Sequence, residues 1–153
     1  MYIVSQIEKI DETIFNTMYE SNKAQLVSNI GFDDLEMFRG TFLYSSEDSL
    51  IFKAVNDSNE TVAYSIAVPE GETAYLYNTI TNADGTMPLV VESLSQLLKS
   101  LNFKFLSLCL KKDSSIHTYG KNNMNRPELY EFISEDTADV ASDEYMKVKL
   151  KLL

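Results

Sequence analysis

Residues 103–110 read FKFLSLCL, apolar on both faces. A strand of that kind must be covered from both sides, so the chain needs a sheet with layers above and below it. The stretch just before it supplies one cover. Val90, Val91, Leu94, Leu97, Leu98 and Leu101 recur at helical spacing, which predicts an amphipathic helix. Pro88 suits its first position, and Asn102 suits a left-handed C-terminal cap.

Upstream, Leu50–Val55 reads as a strand, residues 56–60 (NDSNE) as a turn whose side chains bond their own backbone, and residues 61–68 as a second strand. In that strand Val62, Tyr64, Ile66 and Val68 share one face, and Ala63, Ser65 and Ala67 share the other. The small face admits close approach by a helix or a ligand. Residues 69–72 (PEGE) then turn the chain into Thr73–Thr81. At the N-terminus, residues 1–10 read as a short strand and Asp11 as the N-cap of a helix bearing Ile14, Phe15, Met18 and Tyr19. A second helical stretch is expected around residues 32–38. At the far end, Tyr145–Leu152 alternates Met146, Val148, Leu150 and Leu152 with Lys147, Lys149 and Lys151. It reads as a half-exposed strand whose lysines would guard an edge.

At 153 residues the length suits one domain over 1–153 that buries roughly two-thirds of its unfolded surface. Five glycines and three prolines leave no room for a long linker. No apolar run approaches the ~20 residues of a membrane span. The first residues lack a basic segment followed by a long apolar one, so no secretory signal is expected. The lone Cys109 excludes an internal disulfide and suits a reducing, cytoplasmic setting, or a particle assembled in one. A net charge of −10 argues against nucleic-acid binding. No Lys or Arg falls between Arg126 and Lys147, where Glu128, Glu131, Glu135, Asp136, Asp139, Asp143 and Glu144 gather. That segment reads as a solvated acidic loop, with a docking surface for a basic protein partner as the alternative. The oligomeric state is not legible.

Asn82-Ala83-Asp84-Gly85-Thr86-Met87 joins the strand Thr73–Thr81 to the helix. A strand entering a helix through glycine is a common place to hold phosphate. Together with the element order this resembles the GCN5-related N-acetyltransferase superfamily over most of the chain, best over residues 50–124. The resemblance implies an α/β (α+β) fold with a mixed, mostly antiparallel sheet flanked by helices. It also implies a loop Gln/Arg-x-x-Gly-x-Gly/Ala whose backbone amides hold the pyrophosphate of acetyl-CoA. Asn82, Gly85 and Met87 fall on its defining positions, with Thr86 between them, and only Gly85 fits. Asn82 is short and uncharged, Met87 is bulky, Asp84 adds negative charge and Pro88 has no N–H. A second motif, with a tyrosine near the CoA thiol as general acid, overlies residues 112–124. Tyr119 takes the tyrosine position, Asn123 the glycine and Met124 the phenylalanine.

Acyl transfer to an amine needs a base, a polarised thioester and an acid for the thiolate. The strand Thr73–Thr81 has no Glu, Asp or His in its interior. Glu72 at its start and His117 are the remaining base candidates, and His117, the only histidine, reads as a surface residue. No metal site is expected. Asp33-Asp34 and Glu47-Asp48 read as helix-start and turn residues, and Ser114-Ser115 are too near His117 in sequence for a triad. Cys109, Tyr75 and Tyr77 read as packed strand residues.

Two readings follow. The first is a protein of this fold with a decayed acyl-CoA site and no bound cofactor, acting as a non-catalytic binding or structural component of a larger assembly such as a phage particle. The second is an acetyl-CoA-dependent N-acyltransferase with an atypical loop, Tyr119 as acid and Glu72 or water as base.

Overall fold

The computed structural model describes residues 2–24, 35–44, 47–82, 86–111, 130–137 and 145–153. In chain order these form β1 (Ile3–Ile7), α1 (Glu12–Ser21), α2 (Leu35–Leu43), β2 (Leu50–Val55), β3 (Thr61–Glu70), β4 (Thr73–Thr81), α3 (Thr86–Ser100), β5 (Phe105–Lys111), β6 (Tyr130–Thr137) and β7 (Tyr145–Leu152). The strands make one seven-stranded sheet in the order β1-β2-β3-β4-β5-β7-β6. Every neighbouring pair is antiparallel except β4 and β5. A parallel pair needs a crossover, and α3 supplies it.

Local chemistry sets the ends of the elements. The Asp11 carboxylate accepts from the Ile14 amide at 3.1 Å and caps α1, as expected. Asn56 Oδ1 accepts from the amides of Ser58 and Glu60, both at 3.0 Å, and Asn59 takes φ 60° to close the β2–β3 turn. Gly71 closes the β3–β4 turn at φ 62°, where a Cβ would be strained. Asn102 ends α3 at φ 72°. Its amide donates to the Lys99 carbonyl at 3.0 Å and the Phe103 amide to the Leu98 carbonyl at 3.1 Å, which is a Schellman cap. Helix α3 starts at Thr86, so Pro88 is its third residue rather than its first. Its missing N–H still falls among the donors that a first turn leaves free. Helix α2 runs from Leu35 to Leu43, beyond the expected 32–38; Asp33 and Asp34 lie outside the described residues.

The sheet is covered on both faces. On one side Phe15, Met18 and Tyr19 of α1 and Phe38 and Phe42 of α2 pack on Ile51, Tyr64, Ile66 and Ile80. Asn16 Oδ1 ties the two helices together by accepting from Arg39 Nε and Nη2 at 3.1 and 3.0 Å. On the other side Leu94 and Leu98 of α3 pack on Ala67, Ala74, Leu76, Leu106, Leu108, Val148 and Leu150. Ala63 joins Val90 of α3, so the small face of β3 admits a helix.

Strand β7 corrects one expectation. It is not an edge strand, because β5 and β6 flank it. Its inward residues Val148, Leu150 and Leu152 are buried as expected. Two of its three lysines lie along aromatic rings on the opposite face: Lys147 Nζ is 5.6 Å from the Tyr75 ring centroid and Lys149 Nζ 4.5 Å from that of Phe105.

Leu94 is fully buried beneath the sheet, and Leu94→Ala is expected to cost about 2–5 kcal/mol, measured by urea unfolding. Tyr64 gives a pH signature. Burial raises its phenol above the ordinary value of about 10; the Asp11 amide, 3.3 Å from the hydroxyl, pulls the other way, and the Asp11 charge adds to the rise. Above about pH 10 the folded chain therefore holds a proton that the unfolded chain has lost, so stability falls as pH climbs toward the raised value. Tyr64→Phe is expected to flatten that decline, read as unfolding free energy against pH.

Candidate functional site

The parallel pairing of β4 with β5 is short. It runs from Thr73↔Phe105 to Leu76↔Leu108 and stops. Beyond Leu76, β4 stays with β3, from Asn78↔Ile66 to Thr81↔Ala63. Beyond Leu108, β5 stays with β7, from Cys109↔Lys147 to Lys111↔Tyr145. The sheet thus parts into a four-stranded and a three-stranded half, with an opening between residues 77–81 and 109–111. A β-bulge marks the apex. Ile66 faces Asn78 and Ala67 faces Leu76, which leaves Tyr77 without a partner on β3. In a closed sheet the facing edges of these two strands would pair with each other. Here they flank the opening with main-chain groups suited to an extended ligand.

The wide end of the opening meets the start of α3. Thr86 and Met87 are the first two residues of that helix, whose free amides carry the positive end of its dipole. On the α3 face, Ser65 and Thr79 share a hydroxyl hydrogen bond of 2.9 Å. Asn82 is turned elsewhere. Its amide donates to the Val62 carbonyl at 3.0 Å, which extends the β3–β4 ladder. The residue lines a groove of about 250 Å³ with Thr13, Ile14, Thr17, Met18, Ser21 and Thr61.

Glu72 stands at the other end of β4. Its carboxylate pairs with Lys104 Nζ at 2.9 Å and its carbonyl accepts from the Lys104 and Phe105 amides at 2.8 and 3.2 Å. It stands at the start of the parallel pairing and is not brought to the opening: Leu76 lies four positions on, about 13 Å of extended strand. Gly85 and Tyr119 lie outside the described residues, as do His117 and Asp84. Among the described residues no group of three or more His, Cys, Asp or Glu could hold a metal, and no helix is long and apolar enough to cross a membrane.

No protein-family model and no curated protein matches the sequence. Solved structures do. The ribosomal-protein-S18-alanine N-acetyltransferase of Escherichia coli superposes with a TM-score of 0.61 at 14% identity, over 99% of this chain and 93% of that one. The PaiA N-acetyltransferase of Thermoplasma acidophilum, in complex with coenzyme A, superposes with a TM-score of 0.62 at 14% identity, over 99% of both chains. The ribosomal-protein-S5-alanine acetyltransferase of Vibrio fischeri gives 0.64 at 10% identity, over 99% of this chain and 92% of that one. The chain has the fold of the GCN5-related N-acetyltransferases. The expected mixed, mostly antiparallel sheet flanked by helices is therefore correct, and the superpositions cover 99% of this chain.

Sequence reasoning passed over two features of the opening. One is the bulge at Tyr77, which the apolar alternation of β4 does not reveal. The other is Asn78, an amide set in an inward position among apolar neighbours and only 8% exposed. Its polarity in that register was the available signal.

Ser107 lies beside the opening on β5. Its hydroxyl is buried without a hydrogen-bond partner among the described residues. An unpaired buried hydroxyl costs free energy, so Ser107→Ala is expected to raise stability by about 1 kcal/mol in a denaturant titration.

Proposed function

We propose that this chain binds an acyl-CoA, with the pantetheine arm in the opening between β4 and β5, and transfers the acyl group to an amine. The parting of the two strands after Leu76 and Leu108 carries the reading. A pantetheine arm is an extended chain with two amides, and unpaired strand edges offer it the hydrogen bonds that another strand would make. The start of α3 at the wide end suits the pyrophosphate. The solved structure of the same fold from Thermoplasma acidophilum was determined with coenzyme A, which supports the same ligand class here.

The residues present fit the arm better than the phosphates. The Asn82 amide is spent on Val62. Asp84 brings a like charge and Pro88 brings no N–H. Among the described residues few groups are left for the phosphate end, and modest affinity follows on this reading.

Bound acyl-CoA supplies an activated thioester. The amine attacks its carbonyl carbon, the C–S bond breaks, and the proton lost by the amine ends on the departing thiolate. Tyr119, by its place in the sequence, is the proposed donor to sulfur. Between Glu72 and Asp84 the chain has no carboxylate or imidazole, so water is the proposed carrier of the amine proton.

That same gap favours a second reading, in which the fold persists without catalysis and the chain acts through a protein partner in a larger assembly. Thermal unfolding separates the two. Acetyl-CoA at one hundred times its dissociation constant is expected to add about 2.7 kcal/mol of stability, seen as a raised Tm. A raised Tm together with thiol release in the presence of an amine supports transfer. An unchanged Tm at millimolar acetyl-CoA overturns it in favour of the non-catalytic reading.

A further inference from the structure

Asn78 occupies an unusual place. It is the first residue of β4 to regain register with β3 after the bulge, so it stands at the apex of the opening. Its cross-strand partner Ile66, and Ile80 two residues on, belong to the layer under α1 and α2. The Asn78 side chain accordingly reaches α2, where Nδ2 donates to Thr41 Oγ1 at 2.7 Å. The Thr41 hydroxyl in turn donates to the Phe38 carbonyl at 2.7 Å. Its single proton is spent there, so it meets Asn78 as an acceptor, and the amide orientation is fixed with nitrogen toward Thr41. Oδ1 is left as the free end, and none of the described residues donates to it.

We infer that Asn78 Oδ1 accepts an N–H from the amine acceptor and holds it for attack at the apex. This rests on the acyl-CoA reading above. From Leu76 to Thr81, β4 spans about 17 Å. A ligand anchored by its phosphates at the start of α3 therefore extends its thioester toward Asn78. The arm enters beside α3, while Asn78 sits on the face of α1 and α2, so the amine approaches from that face. A carboxamide is not a base at neutral pH. It accepts one N–H of the neutral amine and leaves the nitrogen lone pair directed at the thioester carbonyl. The N–C bond forms as C–S breaks, the thiolate takes its proton from the donor proposed above, and the surplus amine proton passes through water to restore that donor. The substrate class is a primary amine with at least one N–H left for this contact.

The test compares wild type, Asn78→Ala and Asn78→Asp, with n-propylamine as the acceptor probe. Acetyl-CoA binding is read first, by Tm shift, in all three. Thiol release is then followed against amine concentration from about pH 6.5 to 9.5. If Asn78 positions the amine, Asn78→Ala keeps the acetyl-CoA shift and its KM but loses about tenfold in kcat/KM for the amine. Asn78→Asp, with an acceptor oxygen in the same place that also takes a proton, recovers that loss and adds an acidic limb to the pH profile. A merely structural role predicts the reverse order, since a buried carboxylate disturbs packing more than alanine does. Equal amine kinetics in wild type and Asn78→Ala overturn the inference, as does wild type that binds acetyl-CoA yet releases no thiol above the buffer rate. Loss of the Tm shift in wild type removes the acyl-CoA reading itself, and this inference with it.

Discussion

The parallel register of β4 with β5 is four residue pairs long, and the rest of the molecule is arranged around where it ends. Had it continued, residues 77–81 and 109–111 would have zipped together and left one continuous sheet. The bulge at Tyr77 prevents this by bending β4 away at the point where the pairing stops. Each half then keeps its own antiparallel ladder: β3 holds β4, and β7 holds β5. Each flank of the opening is backed on its far side by a paired strand of its own half. A slot built on strands holds its width better than one built on loops.

The two core layers divide the work of supporting that slot. Helix α3 lies along the side where Leu94 and Leu98 bury Leu76 and Leu108, the last pair before the strands part. The Schellman cap at Asn102 returns the chain to the start of β5, where Glu72 receives the Lys104 and Phe105 amides. Glu72 thus belongs to the closed end of the pair and anchors it. On the opposite side Phe15, Phe38, Phe42 and Tyr64 form an aromatic layer, with Phe15 and Phe42 ring centroids 5.0 Å apart. Asn78 is the polar residue of β4 set into that layer, and its amide is fixed by a threonine from α2.

Much of this was legible from residue pattern. The bounds of β2, β4 and β7 were read correctly because alternation of period two and side-chain-bonded turns are local signals. So were the Asp11 and Asn102 caps. The helix under β3 was foreshadowed by Ala63 and Ala67, whose small side chains left helix and ligand both open. The neighbours of β7 were not legible. Lysines alternating with apolar residues mark an exposed face whether or not the strand has two partners, and pairing is non-local. The length of the β4–β5 pairing was hidden for the same reason: both strands are apolar past the point where they part. For the candidate site, the strand-to-helix entry was found from the sequence. The gap itself is a register property, and no single residue announces it.

Charge sharpens what such a slot can hold. The chain carries −10, so its net field opposes any polyanion. The lysines of β7 do not offset this near α3. Val148, Leu150 and Leu152 point into the α3 layer, so the alternating Lys147, Lys149 and Lys151 stand on the other face of the sheet, two of them over aromatic rings. Among the described residues, what is left for a phosphate is the dipole of α3 and its free first-turn amides, worth about a kcal/mol rather than several. On the proposed acyl-CoA reading, selectivity comes from the arm and the acyl end, where strand edges and the Asn78 amide offer directed hydrogen bonds. On that same reading the ligand is chosen by the shape and amides of its chain, with its charge tolerated at the rim.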